Sequence, residues 1–264
     1  IKSWSSIVQK WKHAMVSKLG MITKLRADGT KKLRLVVDMR RSGVNGLMKL
    51  LERVVLPRVI DLAQSCMDLW ETKWKPPGWS VEALVIDFVD AFMTIPLTEE
   101  SRGYCVTPAH DGSWVVYTGV PFGGGSAPLL WARTAALFCR LGQALFHPQE
   151  LRIQCYVDDP AIMIAGTRMV RNKLCAILLL FWAAIGVELA WQKAQLGMEI
   201  EWIGVAFCIK GETLTITITA ERIRRLQETV KEILSGSMVS EKMLRPLTGQ
   251  LSWISGFILR LRPF

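Results

Sequence analysis

Two adjacent aspartates interrupt an apolar stretch near the middle of the chain and constrain its fold more than any other feature. Asp158 and Asp159 lie between the apolar segments 153–156 and 161–165 and are followed by Pro160. Short apolar runs on either side of Asp and Pro predict two strands joined by a tight turn. Adjacent acids at such a turn can reach one volume of space, where their repulsion favours binding of a divalent cation. A plain turn without a metal is the alternative.

A third acid, Asp87, follows the apolar residues Leu84-Val85-Ile86 of a predicted buried strand. An unpaired carboxylate in that position would be costly unless it binds a metal or a cation. Beside Asp158 and Asp159 on neighbouring strands, Asp87 would complete a set of oxygen ligands of the kind that Mg²⁺ prefers. Two ions about 4 Å apart would activate a 3′-hydroxyl and stabilise a leaving pyrophosphate.

The hydrophobic pattern predicts strands and helices that alternate irregularly, with tight hairpins among them. The predicted strands are 21–24, 33–39, 83–88, 104–107, 114–117, 153–156, 161–165, 187–191, 201–209 and 213–219. The predicted helices are 4–19, 57–69, 127–145, 168–185, 220–234 and 240–258. Asp28-Gly29 indicates a hairpin turn, and 74–79 is a rigid loop that marks a candidate boundary. This arrangement predicts an α+β fold rather than a doubly wound parallel sheet.

Charge is unevenly distributed along the chain, whose net charge is +10. Residues 1–50 hold 12 lysines and arginines against 2 aspartates, and residues 220–264 hold 8 against 4 glutamates. A mildly acidic centre between two basic flanks is typical of a protein that binds phosphates at its ends and cations in its middle. An ordinary solvated surface is the alternative interpretation.

The cysteine, histidine and apolar patterns exclude several other classes of protein. The 6 cysteines form no C-x-x-C pair and lie in apolar stretches, which predicts buried thiols in a reducing compartment, and no histidine lies near one to form a zinc site. The longest uncharged apolar run, 174–187, is shorter than the roughly 18 residues that cross a bilayer. Without a secretory signal, we expect a cytoplasmic or nuclear chain with no membrane partner, and part of a longer polyprotein.

Short motifs spread over most of the chain occur in an order typical of one protein family. Val85-Ile-Asp-Phe-Val-Asp-Ala-Phe92 contains Asp87, and Tyr156-Val-Asp-Asp159 contains the paired acids. The other motifs are Lys31-Lys-Leu-Arg-Leu-Val-Val-Asp-Met-Arg40 with Asn45, Val120-Pro-Phe-Gly123 with Ser126-Ala-Pro128, Trp191-Gln-Lys193, Trp202-Ile-Gly204 and Leu247-Thr-Gly-Gln-Leu-Ser-Trp253. Together they resemble the polymerase domain of a reverse transcriptase from a retrotransposon or retrovirus-like element, over about residues 18–264.

The resemblance implies a right-hand polymerase fold and a division of the chain into three parts. Fingers are expected over 1–80, a palm with an antiparallel sheet over 81–219, and a partial thumb over 220–264. Asp87, Asp158 and Asp159 take the place of the family's metal ligands, for two Mg²⁺ or Mn²⁺ ions. Lys193 takes the place of a lysine that protonates the leaving pyrophosphate or neutralises its charge.

The resemblance also assigns residues to nucleotide and nucleic-acid binding. Phe92 matches the aromatic gate that rejects a ribose 2′-hydroxyl, whereas Phe122 stands where retroviral members usually carry glutamine. Trp202-Ile-Gly204 resembles the primer grip. The residues implied to bind the nucleotide are Lys24, Lys32, Arg34, Asp90, Phe92, Phe122 and Gly123. The thumb arginines implied to contact phosphates are Arg222, Arg224 and Arg225.

The activity implied is RNA-directed DNA synthesis, in which a primer on an RNA or DNA template is extended with dNTPs. One alternative is another palm polymerase, such as an RNA-dependent RNA polymerase, against which Phe92 and the Tyr-Val-Asp-Asp sequence argue. The other is a decayed retroelement fragment that binds RNA without turnover, against which the three intact acids argue. Because the motifs extend over nearly the whole sequence, we expect an RNase H domain to belong to another part of the parent chain.

Overall fold

The computed structural model describes residues 2–25, 29–50, 52–236, 239–256 and 258, with Lys24 and Leu25 described by their backbone alone. The helices are α1 (Trp4–Lys10), α2 (Val44–Leu47), α3 (Val59–Trp70), α4 (Glu99–Arg102), α5 (Ala127–Gln143), α6 (Arg168–Ala184), α7 (Ala220–Ser235) and α8 (Glu241–Ser255). The strands are β1 (Leu19–Leu25), β2 (Lys31–Val37), β3 (Trp79–Val85), β4 (Val106–Pro108), β5 (Trp114–Val116), β6 (Leu151–Tyr156), β7 (Asp159–Thr167), β8 (Gln195–Gly197), β9 (Glu199–Trp202), β10 (Val205–Lys210) and β11 (Thr213–Ile218). The pairings among these strands are antiparallel, and with the helices they confirm the predicted α+β class.

The chain forms two compact units, and each is built from two separate segments. Unit 1 comprises Ile1–Val55 and Asp90–Ala136, and unit 2 comprises Leu56–Val89 and Leu137–Phe264. The loop at 74–79 lies within unit 2, between α3 and β3. The predicted boundaries of fingers, palm and thumb at 80 and 219 stay a prediction.

The described residues of unit 1 form two β-hairpins and two small apolar clusters. Strands β1 and β2 pair from Leu19↔Val37 to Leu25↔Lys31, and β4 pairs with β5. The turn between β1 and β2 is predicted at Asp28-Gly29. Asp28 lies outside the described residues, and Gly29 has a φ of +78°. One cluster is formed by Ile7, Trp11 and Val106, and the other by Val37, Met39, Val44 and Cys105.

The helix predicted over 4–19 was wrong in its length, because α1 ends at Lys10. Trp11 leaves the helix with extended backbone, and its indole N–H donates to the Glu99 carbonyl at 2.7 Å. Further on, Val16 bridges Val106 in parallel and the Ser17 N–H donates to the Val106 carbonyl at 2.9 Å. Tertiary contacts therefore replace the helix that the apolar spacing favours.

Unit 2 is centred on a four-stranded sheet with the strand order β6-β7-β3-β8. Strand β7 is buried from Pro160 to Gly166. Because side chains alternate along a strand, Ala161, Met163 and Ala165 pack in the apolar cluster that includes α3 and β10, while the residues between them face the other side, where α6 contacts β7. Burial on both faces explains why 161–165 is continuously apolar.

A second sheet in unit 2 has the order β11-β10-β9. The segment predicted as one strand over 201–209 is two strands, because Ile203 and Gly204 have φ values of +43° and +87° and form a two-residue turn between them. The strand predicted over 187–191 was also wrong. Leu189 makes an isolated bridge with Phe88, and residues 191–193 form a 3₁₀ turn.

Two composition-based expectations can be compared with the structure. All six cysteines are free thiols, of which Cys155 and Cys208 are half-buried and the others buried. Burial raises the pKa of the Cys66 thiol to about 12 and that of Cys105 to about 11. Among the described helices, none combines the length and the apolarity needed to cross a membrane.

Candidate active site

The β6–β7 hairpin carries the paired acids at its turn. Tyr156 pairs with Asp159, so Val157 and Asp158 form a two-residue turn. Val157 has a φ of +59°, which is an outlier for a β-branched residue, and tight turns with positive φ at this position normally contain glycine. The chain therefore holds backbone strain directly beside the two acids, as is common at functional sites.

The Asp159 side chain is half-buried. Its Oδ1 atom is buried and has no hydrogen-bond partner among the described residues. Burial, and secondarily the charge of Asp158, raise the pKa of the Asp159 carboxyl to about 7. A buried carboxylate without a donor is unfavourable, and a bound cation would remove that cost.

Asp87 follows β3 and forms an ion pair with Lys193 of the 3₁₀ turn at 191–193. The Asp87 side chain is 23% exposed and that of Lys193 is 60% exposed. The pairing joins two residues that sequence reasoning proposed separately, one as a metal ligand and the other as a proton donor. The ammonium group occupies a place beside Asp87 that a metal ion could take.

The backbone of each acid is held by a partner from another segment. The Ala190 N–H donates to the Asp87 carbonyl at 2.9 Å, and the Phe88 N–H donates to the Asp158 carbonyl at 2.7 Å. The indole N–H of Trp202 donates to the Asp159 carbonyl at 3.0 Å. These bonds fix the main chain at the end of β3 and at the β6–β7 turn.

The three acids are not assembled as one cage. In the part of the chain that the structure describes, no three His, Cys, Asp or Glu side chains come together as a group able to hold a metal ion. Asp158 and Asp159 interact with each other, whereas Asp87 is paired with Lys193. The donor set still fits a hard divalent cation, because the buried Asp159 oxygen lacks a partner and Asp87 already binds a positive charge.

Unit 1 brings together the two phenylalanines that were proposed for nucleotide binding. The rings of Phe92 and Phe122 pack edge to face, with centroids 5.1 Å apart and an interplanar angle of 66°. Asp90 is exposed, and its carbonyl accepts from the Met93 N–H at 2.8 Å. Its φ of +46° begins the tight turn that leads to Phe92.

The loop at Gly123 approaches strand β2 too closely for any side chain. A Cβ atom on Gly123 would lie 1.9 Å from the Val37 carbonyl oxygen, and the φ of Gly123 is +115°. Asn45 fixes the same loop, since its amide donates to the Gly123 carbonyl at 3.1 Å and its Oδ1 accepts from the Gly125 N–H at 2.8 Å. Gly123 therefore has a packing role in unit 1, and sequence reasoning did not single out Asn45 as a site residue.

The basic residues proposed to bind the triphosphate lie on one hairpin of unit 1. In the register of β1 and β2, Lys24 is opposite Lys32 and Ile22 is opposite Arg34. Positions two apart on a strand share a face, so these four positions lie on the same side of the ribbon. Arg34 is exposed, Lys32 is half-buried, and the side chain of Lys24 lies outside the described part of the chain.

The sequence matches the family model described as reverse transcriptase (RNA-dependent DNA polymerase) over residues 26–207. This chain belongs to the reverse transcriptase family. A comparison with curated protein sequences finds no match.

Solved structures of foamy virus protease-reverse transcriptase share the fold of this reverse transcriptase domain. The complex with an RNA/DNA hybrid has a TM-score of 0.58 at 18% identity, covering 92% of this chain and 29% of its own. A complex with double-stranded DNA has a TM-score of 0.58 at 19% identity, covering 89% of this chain and 42% of its own. The likeness confirms the predicted right-hand polymerase fold. This chain spans less than half the length of those proteins.

Two residues of the reverse transcriptase domain make contacts that sequence reasoning missed. Trp202 belongs to the segment that resembles the primer grip, yet its side chain is 1% exposed and bonds to Asp159. Arg222 was expected to contact phosphates. Its guanidinium lies 3.7 Å from the centroid of the Trp253 ring and donates to the Ile203 carbonyl at 3.2 Å, and burial lowers its pKa. Contact of Arg222 with phosphates stays a prediction.

Replacing Val157 by glycine is expected to stabilise unit 2 by about 1 kcal/mol, because glycine adopts positive φ without steric cost. The measurement is the urea midpoint of unfolding without added metal. Val157→Ala is the control and should gain less, because alanine keeps the Cβ atom that makes this conformation unfavourable. A glycine variant less stable than the alanine variant would show that the turn is not strained.

Proposed function

We propose that this chain is the polymerase domain of an RNA-directed DNA polymerase that extends a primer with dNTPs. The observation that carries the proposal is the half-buried Asp159 carboxylate, which lies next to Asp158 and has a buried Oδ1 atom without a partner among the described residues. A stable protein rarely keeps such a group unless a ligand completes it. In a reverse transcriptase, the ligand of that chemistry is a divalent cation.

We assign Asp87, Asp158 and Asp159 as the ligands of two Mg²⁺ or Mn²⁺ ions. Such ions, when bound, activate the primer 3′-hydroxyl and stabilise the charge that develops on the pyrophosphate. Lys193 would neutralise charge beside Asp87 or donate a proton to the leaving pyrophosphate. Its pairing with Asp87 supports this role, because it keeps the ammonium group beside an assigned metal ligand.

The nucleotide-binding residues of the proposal lie in unit 1. The basic face of the β1–β2 ribbon would bind the triphosphate, because lysine and arginine form charge-assisted hydrogen bonds with phosphate oxygens. The packed rings of Phe92 and Phe122 form an apolar wall that would reject a ribose 2′-hydroxyl and so select dNTPs. The residues assigned to this function are Lys24, Lys32, Arg34, Asp90, Phe92, Phe122 and Gly123.

We infer that the partner is an RNA or DNA template with a primer. Foamy virus protease-reverse transcriptase has been solved with double-stranded DNA and with an RNA/DNA hybrid, and the basic ends of this chain suit the same polyanions. We propose an origin in a retrotransposon or retrovirus-like polyprotein that acts in the cytoplasm or nucleus. Its fingers, palm and partial thumb would span 1–80, 81–219 and 220–264.

The test is incorporation of labelled dNTPs on a primed RNA template with Mg²⁺ or Mn²⁺, with labelled NTPs in a parallel reaction. The Asp158→Asn, Asp159→Asn double variant should lose incorporation. Glu212→Gln is the matched control, because Glu212 is an exposed acid of unit 2 paired with Lys75. Incorporation of dNTPs that the double variant alone abolishes supports the proposal, and a preference for NTPs would favour an RNA polymerase.

A second candidate function is RNA binding without catalysis. Its support is the pairing of Asp87 with Lys193 and the finding that, among the described residues, no three His, Cys, Asp or Glu side chains form a group able to hold a metal ion. Such a protein would bind RNA with an affinity that falls steeply with salt and would incorporate no nucleotide with either metal.

A further inference from the structure

Trp202 connects the second sheet of unit 2 to the paired acids. It is the last residue of β9, is 1% exposed, and packs edge to face against Tyr156 with ring centroids 6.5 Å apart. Its indole N–H donates to the Asp159 carbonyl at 3.0 Å. The donors to the carbonyls of Asp87 and Asp158 are backbone N–H groups, which a side-chain substitution does not remove. The donor to the Asp159 carbonyl is a side chain, so a substitution at Trp202 can remove that bond.

The Asp159 carboxylate depends on its main chain for its position. Its Oδ1 atom has no hydrogen-bond partner in the described part of the chain, so the protein does not hold that oxygen directly. The turn before it is strained at Val157, and Asp158 repels the carboxylate. Both effects favour movement of the turn, and a hydrogen bond to the Asp159 carbonyl opposes that movement.

We propose that Trp202 is a positioning residue whose indole N–H holds the Asp159 peptide so that its carboxylate can bind a divalent cation. The inference rests on the proposed function, because it assigns Asp159 as a metal ligand. It extends that function by connecting the metal site to the β9–β10 turn, which begins directly after Trp202. The Arg222 guanidinium contacts that turn by donating to the Ile203 carbonyl.

The experiment compares Trp202→Phe with Trp182→Phe. Trp182 is the matched control, because it is also fully buried in unit 2 and its indole N–H also donates to a backbone carbonyl, that of Phe138, at 3.2 Å. Both variants lose one buried indole bond and should lose similar thermal stability. Mn²⁺ affinity, measured by electron paramagnetic resonance on the protein without nucleic acid, should fall about 10- to 100-fold in Trp202→Phe alone.

A shape-conserving replacement separates positioning from packing. Benzothienylalanine at position 202 keeps the fused ring but has sulfur in place of the N–H group, so it should weaken Mn²⁺ binding as much as Trp202→Phe. If the phenylalanine variant fails to fold, the benzothienylalanine variant still tests the inference. Asp159→Asn gives the reference for loss of the ligand itself.

The outcomes distinguish this inference from the proposed function. If wild-type protein binds Mn²⁺ and incorporates dNTPs while the benzothienylalanine variant binds Mn²⁺ equally well, the positioning role is overturned and the polymerase function remains. If wild-type protein neither binds Mn²⁺ nor incorporates dNTPs, both are overturned. Weaker binding in the Trp202 variants together with wild-type affinity in Trp182→Phe supports the inference.

Discussion

Replacing Asp159 by asparagine is expected to reduce dNTP incorporation by about 10³-fold and, at the same time, to stabilise the metal-free protein at alkaline pH. The loss of activity follows from removing a proposed metal ligand. The gain in stability follows from the unfavourable environment of the carboxylate, which lies beside Asp158 and has a buried Oδ1 atom without a partner among the described residues. Asparagine has nearly the same shape but carries no charge.

The pH dependence of this gain has a defined sign. The folded pKa of Asp159 is raised to about 7, above the value of about 3.9 in an unfolded chain. Below about pH 4 the carboxyl is protonated in both states and the charge has no effect on folding. As the pH rises from about 4 to 7, the unfolded state ionises first, so wild-type stability falls, and above pH 7 the loss is complete.

The measurement is thermal unfolding of both proteins in chelator from pH 4 to pH 8. Their melting temperatures should be similar at pH 4, and Asp159→Asn should be several degrees higher at pH 8. Asp158→Asn is the comparison, because Asp158 is exposed and its removal should stabilise the protein less. Equal pH profiles for wild type and Asp159→Asn would show that the Asp159 carboxylate is not destabilising.

Replacing Gly123 by alanine is expected to destabilise unit 1 by about 3 kcal/mol or more. The added Cβ atom would lie 1.9 Å from the Val37 carbonyl oxygen, in a backbone conformation with φ of +115° that alanine rarely adopts. The oxygen belongs to the backbone and cannot rotate away. Relief would require breaking the bond from the Val37 N–H to the Phe122 carbonyl, which is 2.8 Å long.

Gly124→Ala is the control for this prediction. Its Cβ atom would have Met39 Sδ as its nearest neighbour, at 3.5 Å, which is an ordinary contact, and its φ is not positive. The readout is hydrogen exchange of the amides in β2, because it reports local stability in unit 1, which a global melting temperature does not. Similar protection of β2 in the two variants would contradict the packing role of Gly123.

Sequence reasoning succeeded where the information is local. The apolar run of β7 and the Asp-Pro sequence before it predicted the hairpin with its acids at the turn, because burial on both faces and turn chemistry both leave a pattern in neighbouring residues. The helix over 4–19 was wrong because Trp11 forms a bond with Glu99, a residue 88 positions away. Apolar spacing does not report such contacts.

The same limit applies to the candidate active site. The motifs identified Asp87, Lys193, Asp159 and Trp202 individually, but not which of them touch. Asp87 and its partner Lys193 are separated by 106 positions, and Trp202 and Asp159 by 43. Neither contact leaves a periodic pattern or a characteristic spacing in the sequence. The Trp202 bond also depends on the two-residue turn after Trp202, in which Ile203 has a positive φ that is unfavourable for a β-branched residue.

The interleaving of the two units has a consequence for synthesis on the ribosome. The chain passes from unit 1 to unit 2 after Val55, returns at Asp90, and leaves again after Ala136. Unit 1 cannot be completed until residue 136 has emerged from the ribosome. By then the first segment of unit 2, Leu56–Val89, has already emerged without the second segment against which it packs. Both units must therefore fold late during translation, with apolar segments exposed in the meantime, which makes the nascent chain a substrate for chaperones.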